Sequence, residues 1–155
     1  MPDFRFKDPS GGLTTVINDN ATLADGARAA GDHDNSSNLD LWCIPYLTVQ
    51  FDGGPPSVDD EIAELYLLPG DAEASEGYPD GGDSGLGTDD DPQDAFYVGS
   101  FHTVNPSTST DEVLALPPIP LYPHGNRFVL KNVSGQTMDL TWQLDILPYK
   151  MQDDT

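Results

Sequence analysis

The chain has 155 residues, of which 27 are acidic and six are basic, so its formal charge at pH 7 is −21. This length is typical of one domain, and the charge argues against direct binding to nucleic acid or to an anionic membrane, since both are negatively charged. A single cysteine, Cys43, excludes an intrachain disulfide, so the fold must rest on packing. No apolar run reaches the ~18 residues of a membrane span, and the first ten residues lack the apolar stretch of a secretory signal. We therefore expect a soluble protein made in the cytoplasm.

Short segments with strand character follow one another along the chain, separated by Gly, Pro, Asn and Asp. In chain order, we predict strands at residues 13–18, 24–31, 39–51, 61–70, 94–104 and 112–121, and a final hairpin formed by residues 127–133 and 137–146. The small residues of the second segment indicate a close approach to another part of the molecule. In the third segment the odd positions face one way, and Pro45 implies a bulge or a sheet edge at that point.

The last strand has the clearest period in the sequence, with apolar and polar residues alternating from 137 to 146. This period predicts that one set packs against a core and that the other faces water. The set predicted to face the core is Met138, Leu140, Trp142, Leu144 and Ile146. The set predicted to face water is Thr137, Asp139, Thr141, Gln143 and Asp145.

No segment keeps apolar residues at helical spacing over three turns, and 14 prolines disfavour long helices. About seven or eight strands at this spacing predict an all-β fold, an antiparallel β-sandwich with jelly-roll wiring. We assign residues 1–11 to an N-terminal arm, 12–150 to a single sandwich domain and 151–155 to a C-terminal tail.

Residues 71–94 form an acidic insert rich in Gly, Asp and Ser between two predicted strands, and we expect a long exposed loop there. Its aspartates invite a calcium interpretation, because calcium binds clustered carboxylate oxygens. The spacing does not match the twelve-residue loop of an EF-hand, and a solvated acidic loop is the preferred interpretation. We predict no metal site and no cofactor.

The sequence offers no recognisable catalytic motif. His33, His102 and His124 lie in three separate segments without the spacing of a zinc site, and there is no GxSxG elbow or phosphate-binding loop. Cys43 lies in an apolar strand, where a buried thiol is typical. We therefore predict no catalytic residues and a non-enzymatic protein. A hydrolytic or metal-dependent enzyme is one of two alternatives, and stoichiometric zinc in the purified protein would support it.

The proline-rich segment LPPIPLYPHG, residues 116–125, has two interpretations. It could be a polyproline ligand for an aromatic groove, or an extended connector that crosses from one sheet to the other. Its interleaved Leu and Ile residues favour the connector, since displayed ligands rarely expose such side chains.

Several segments together resemble a group of small virion proteins of tailed bacteriophages. The segments are NLDLWCIPYLTVQF, EIAELYLLPGDAE, an insert with YPDGG, FYVGSF, and IPLYPHGNRFVLKNVSGQTMDLTWQLDILPY. In that group a strand ending near "LYLLP" precedes a variable polar loop, a "YLGSF"-like strand and a closing hairpin that ends near "LPY". The resemblance covers most of residues 12–149 and rests on strand and turn patterns.

The resemblance implies a jelly-roll protein of the phage particle. Similar proteins serve as capsid decoration, or cement, proteins and are usually trimers on the outer face of the head lattice. The implied partners are the major capsid protein and further copies of the same chain, and the implied location is the outer capsid surface of the virion. The insert is longer and more acidic here than in the group. Its acidity could mark a saline habitat or complement basic patches on a capsid shell.

We predict the contacts of such a protein in two places. Phe4, Arg5, Phe6 and Lys7 combine aromatic and basic side chains in the N-terminal arm, a composition suited to anchoring at an interface. The second predicted contact region is formed by Pro117 and Pro118 of the proline-rich segment. The alternative function is a carbohydrate-binding or adhesin-type jelly roll of a tail or head fibre, which would require a flat platform of exposed aromatic residues. Its candidates, for which burial is the preferred interpretation, are Trp42, Tyr46, Tyr66 and Tyr97.

Overall fold

The structure is a computed structural model, which describes residues 5–6, 12–18, 20–37, 40–70, 95–149 and 151–152. No helix occurs in these ranges. The strands are β1 (Arg5–Phe6), β2 (Thr14–Ile17), β3 (Arg28–Asp34), β4 (Trp42–Val49), β5 (Phe51–Asp52), β6 (Glu61–Gly70), β7 (Phe96–His102), β8 (Glu112–Ala115), β9 (Ile119–Pro120), β10 (Gly125–Asn132), β11 (Thr137–Met138), β12 (Gln143–Tyr149) and β13 (Met151–Gln152).

Two antiparallel sheets carry most of the strands. Sheet I has the order β2-β12-β4-β8, and the short β9 also pairs with β4 beyond the end of β8. Sheet II has the order β3-β10-β6-β7. Two short ribbons are formed by β5 with β11 and by β1 with β13.

The core lies between the inner faces of the two sheets. Alternate residues of each strand point inward, as the two-residue period of a strand requires. The inward residues of both sheets form one buried cluster, whose members include Leu47 and Val49 of β4, Leu144 and Ile146 of β12, Leu65 and Leu67 of β6, and Phe128 and Leu130 of β10. The predicted all-β antiparallel sandwich is confirmed.

The predicted strands at 13–18, 61–70 and 94–104 are confirmed as β2, β6 and β7. The strand predicted at 24–31 begins later, at Arg28, because the chain turns at Asp25 and Gly26. The predicted close approach of this segment is also present. A Cβ added to Gly31 of β3 would lie only 1.7 Å from the carbonyl oxygen of Val16 in β2.

Pro45 does not lie at a bulge or at the outer edge of a sheet. It is in the middle of β4, opposite Ile146 of β12, and this pairing shows no register shift. On the other side of β4, the neighbouring strand is interrupted between Ala115 and Ile119, and the Pro45 carbonyl accepts a hydrogen bond from Leu116 N at 3.0 Å. The missing N–H of Pro45 therefore falls where no regular ladder partner is present, which is a local edge.

The predicted hairpin over residues 127–133 and 137–146 is wrong. β10 pairs within sheet II and β12 within sheet I, so the chain crosses the sandwich between them. The buried amide of Asn132 supports this crossing, since its Nδ2 donates to the carbonyls of Leu23 and Gln136, each at 2.8 Å. The chain then turns at residues 139–142, where Trp142 N donates to the carbonyl of Asp139.

Two of the side-chain predictions for this stretch are wrong. Of the set predicted to face the core, Leu140 is 55% exposed because it lies in the turn. Of the set predicted to face water, Asp145 is buried, although it points to the outer side of β12. The remaining members of the inward set, Met138, Trp142, Leu144 and Ile146, are buried as predicted.

The prediction of a connector between the sheets at 116–125 agrees with the strand pairing. The segment leaves β8 in sheet I, touches β4 again as β9, and enters sheet II as β10 at Gly125. The acidic insert at 71–94 lies outside the described residues, as do most of the predicted N-terminal arm and C-terminal tail. Of those two segments, only the pairing of Arg5 with Gln152 and of Phe6 with Met151 is described.

Candidate interaction surface

An apolar groove lies on the outer face of sheet I. Because Cys43 of β4 points into the core, its neighbours Trp42 and Ile44 point outward. Antiparallel pairing places Tyr149 of β12 directly opposite Trp42. The groove has a volume of about 360 Å³ and is lined by Trp42, Ile44, Pro118 and Tyr149. We call it the Trp42 groove.

The interruption between β8 and β9 supplies one wall of the groove. β8 ends at Ala115 and β9 begins at Ile119, and the intervening residues include the exposed Pro117 and Pro118. Of these two predicted contact residues, the structure brings Pro118 to the groove, whereas Pro117 is not among the lining residues. Proline fixes its own backbone angle, which makes this wall stiff.

Among the described residues, those that line the groove include no acidic side chain, although the chain as a whole has a formal charge of −21. The acidic residue in the neighbouring part of β12 is Asp145, which is buried. Its carboxylate accepts hydrogen bonds from Thr15 Oγ1 at 2.6 Å and from Gln143 Nε2 at 2.8 Å. The next residue after Tyr149 in the sequence is the basic Lys150. The described residues that line the groove are therefore apolar or aromatic, and the carboxylate of Asp145 in β12 is buried.

The predicted contacts of the N-terminal arm fall partly within the described residues. Arg5 and Phe6 form β1 and pair with β13, which begins two residues after Tyr149. Phe4 and Lys7 lie outside the described residues. The N-terminal strand is therefore hydrogen-bonded to β13, the short strand that follows β12 in the chain.

The four aromatic residues considered for a flat platform do not form one platform, since Trp42 and the half-buried Tyr46 lie in β4 of sheet I and the other two lie in sheet II. Trp42 is 40% exposed and Tyr97 is 56% exposed, so burial was the wrong expectation for both, but they lie on different sheets. Tyr66 is buried and packs edge-to-face on Tyr97, with ring centroids 5.6 Å apart. The pairing of Trp42 with Tyr149 was not predicted, because the last strand was expected to pair with residues 127–133 and not with β4.

The titratable side chains of the described core are shielded from water. His33 and Asp40 are both buried, and His33 Nε2 lies 3.7 Å from Asp40 Oδ2. Burial lowers the pKa of His33, and the charges of Asp40 and Asp34 oppose this shift only in part. Burial raises the pKa of Cys43 to about 12, so its thiol stays protonated and is a poor nucleophile near neutral pH.

The other two histidines are exposed. His102 is within 3.2 Å of Ser100 Oγ and of the carbonyl of Asp59, and His124 lies in the turn before β10. Within the part of the chain that the structure describes, no group of three or more His, Cys, Asp or Glu side chains could hold a metal ion. The same part of the chain contains no helix with the length and apolarity needed to cross a membrane.

Comparisons with known proteins do not identify a function for this surface. A comparison with models of protein families finds no match, and a search of curated proteins finds none either. The chemistry that the Trp42 groove can support therefore follows from its own lining residues. The groove can bury an apolar or aromatic group, and the described residues of its lining offer no charged side chain for acid–base chemistry or for holding an ion.

Proposed function

We propose that the protein is a non-enzymatic structural protein of a tailed-bacteriophage virion, a decoration protein that binds and stabilises the outer face of the head lattice. The observation that carries this proposal is the strand order of the two sheets. It is combined with the resemblance of several segments to small phage virion proteins.

The strand order supports a jelly-roll interpretation. In the described residues, the strands of four or more residues are β2, β3, β4, β6, β7, β8, β10 and β12. Counted along the chain from one to eight, they form a sheet of order 1-8-3-6 and a sheet of order 2-7-4-5. The first strand therefore pairs with the last, the second with the seventh, the third with the sixth and the fourth with the fifth. This order supports the proposal of a jelly roll, an architecture found in viral capsid and lectin domains.

The fold alone does not define the function, because one architecture serves many functions. The segments that resemble phage proteins contain the complete strands β4, β6, β10 and β12 of this sandwich. The surface supports the same proposal, since a net charge of −21 favours solubility at high copy number. The partners proposed on this basis are the major capsid protein and other copies of the chain, as a homotrimer on the outer capsid surface.

The direct test is cryo-electron microscopy of intact virions of the phage that encodes the chain. We expect the protein in purified virions, with density for a two-sheet domain on the outside of the head. Absence of the chain from purified virions contradicts the proposal. Density on the tail alone assigns the chain to the virion but contradicts a role in the head lattice.

One observation favours a second candidate, the carbohydrate-binding or adhesin-type module. Trp42 and Tyr149 are paired on one sheet face, and adjacent aromatic rings can stack on sugar rings. The apolar lining of the groove weighs against it, because a sugar also needs polar partners for its hydroxyl groups. Binding on a glycan array that is lost in the Trp42→Ala variant would support this candidate over the decoration protein.

A further inference from the structure

We infer that the Trp42 groove is the surface through which a second copy of this chain binds. This inference rests on the proposed function, since it names the part of the molecule that would join the subunits of the proposed homotrimer. The lining residues Trp42, Ile44, Pro118 and Tyr149 are neighbours across β4, the β8–β9 interruption and β12. They form a continuous surface on a stiff part of sheet I.

Charge is the reason for choosing a second copy as the partner. Two copies each bring a formal charge of −21, and salt screens this repulsion beyond about 8 Å at physiological ionic strength. What decides whether they can touch is therefore the charge at the contact itself. None of the described residues that line the groove is acidic, and the neighbouring Asp145 is buried with its carboxylate hydrogen-bonded.

A basic partner, such as a positively charged patch of a capsid shell, would gain most by binding to the acidic remainder of the surface. The described lining of the groove offers it no carboxylate. Another copy of the chain has the opposite preference, because it is repelled by every acidic region and is repelled least at the groove. The chemistry of the lining agrees, since exposed Trp and Tyr side chains are the residue types that contribute most to protein interfaces.

Trp42 also provides an internal probe of this contact. The chain has two tryptophans, of which Trp142 is buried and Trp42 is 40% exposed. Acrylamide quenching of the full-length chain therefore reports on Trp42 and barely on Trp142. We expect quenching to fall as protein concentration rises in 0.5 M NaCl, in parallel with an increase in mass measured by sedimentation velocity.

Two variants of the groove and one matched control complete the test. Trp42→Gln removes the ring, and Pro118→Glu places a charge on an exposed wall residue outside the core. We expect each to weaken self-association by about tenfold or more, as is typical of hot-spot residues. The control is Phe96→Gln, which changes an exposed aromatic residue of sheet II and should associate like the wild type. Circular dichroism and thermal melting establish that each variant is folded.

Wild-type protein that stays monomeric over the whole concentration and salt range overturns the inference. So does a Pro118→Glu variant that is folded and associates as tightly as the wild type. Particle binding separates this inference from the proposed function. A monomer that binds virions contradicts only the groove contact, whereas groove-dependent association of a chain that is absent from virions contradicts only the decoration role.

Discussion

Leu140 and Leu144 belong to the same periodic stretch, but substitutions at the two positions should change the free energy of unfolding by very different amounts. Both were predicted to face the core, but Leu144 is fully buried in β12 and Leu140 is exposed in the preceding turn. We expect Leu144→Ala to lower the free energy of unfolding by about 2 to 5 kcal/mol, because it removes buried contacts and leaves a cavity. The matched variant Leu140→Ala should change it by no more than about 0.5 kcal/mol. Urea denaturation of the two variants provides the measurement, and equal losses would contradict the assignment of residues 139–142 to a turn.

His33 makes part of the stability depend on pH. Burial lowers its pKa in the folded state, so the unfolded chain takes up a proton at a higher pH than the folded chain does. The stability contributed by neutral His33 is therefore complete above the unfolded pKa of about 6.5 and is lost as the pH falls through the folded pKa. The charged groups that act on its pKa are Asp40, 3.7 Å away, and the exposed Asp34 next to it in β3, and Asp40 also acts on Cys43.

We expect His33→Gln to remove this part of the pH dependence. Between pH 7.5 and pH 5.5, the wild type should lose more stability than the variant, by at most about 1.4 kcal/mol per pH unit below 6.5. Urea denaturation at several pH values measures the difference, and the exposed His124→Gln serves as the control. If the free energies of unfolding of wild type and His33→Gln change with pH in parallel, protonation of His33 is not coupled to folding.

The contact between β2 and β3 is one in which two edge strands of different sheets approach each other. Gly31 of β3 leaves room for the carbonyl oxygen of Val16, which a Cβ at this position would approach to 1.7 Å. We expect Gly31→Ala to destabilise the protein by about 1 to 3 kcal/mol or more, because the clash is with backbone and the strands must separate. In the control Gly54→Ala, the nearest atom is 4.0 Å away. Thermal melting compares the two, and equal melting temperatures would contradict the close approach.

The N-terminal strand is separate from the two main sheets. β1 pairs with β13 in a ribbon of its own, so its removal breaks no hydrogen-bonded ladder of sheet I or sheet II. We expect deletion of residues 2–8 to leave the melting temperature of the isolated domain nearly unchanged and to weaken binding to virions. Removal of residues 153–155 is the control for shortening a terminus. Unchanged occupancy on particles after the first deletion would show that the arm contributes nothing to binding.

The whole molecule combines an apolar groove with a strongly acidic surface, and this contrast divides its proposed contacts into two kinds. Contacts with a basic shell would use the acidic regions and would weaken steeply with salt. Contacts between copies would use the Trp42 groove, and salt would strengthen them by screening the remaining repulsion between two chains of charge −21. Opposite salt dependences for particle binding and self-association are therefore the expected signature of the intact assembly.

The sequence by itself predicted the all-β class, the position of most strands and the burial of residues such as Cys43, Trp142 and Leu144. These features follow from local rules, because a two-residue period and the turn residues act within a few positions of each other. It also predicted the close approach of the segment that contains Gly31. The prediction that Pro117 and Pro118 make interface contacts stays a prediction, and the position of Pro118 in a groove was not foreseen.

The tertiary structure decided how the strands are distributed between the two sheets. β10 and β12 follow each other closely in the chain and were predicted to pair, but their hydrogen-bonding partners are β3 and β6 for one, and β2 and β4 for the other. Such pairings join residues far apart in the sequence, and no local pattern specifies them. The Trp42 groove has the same origin. Its residues come from β4, the β8–β9 interruption and the last residue of β12, and only the register between β4 and β12 places Tyr149 opposite Trp42.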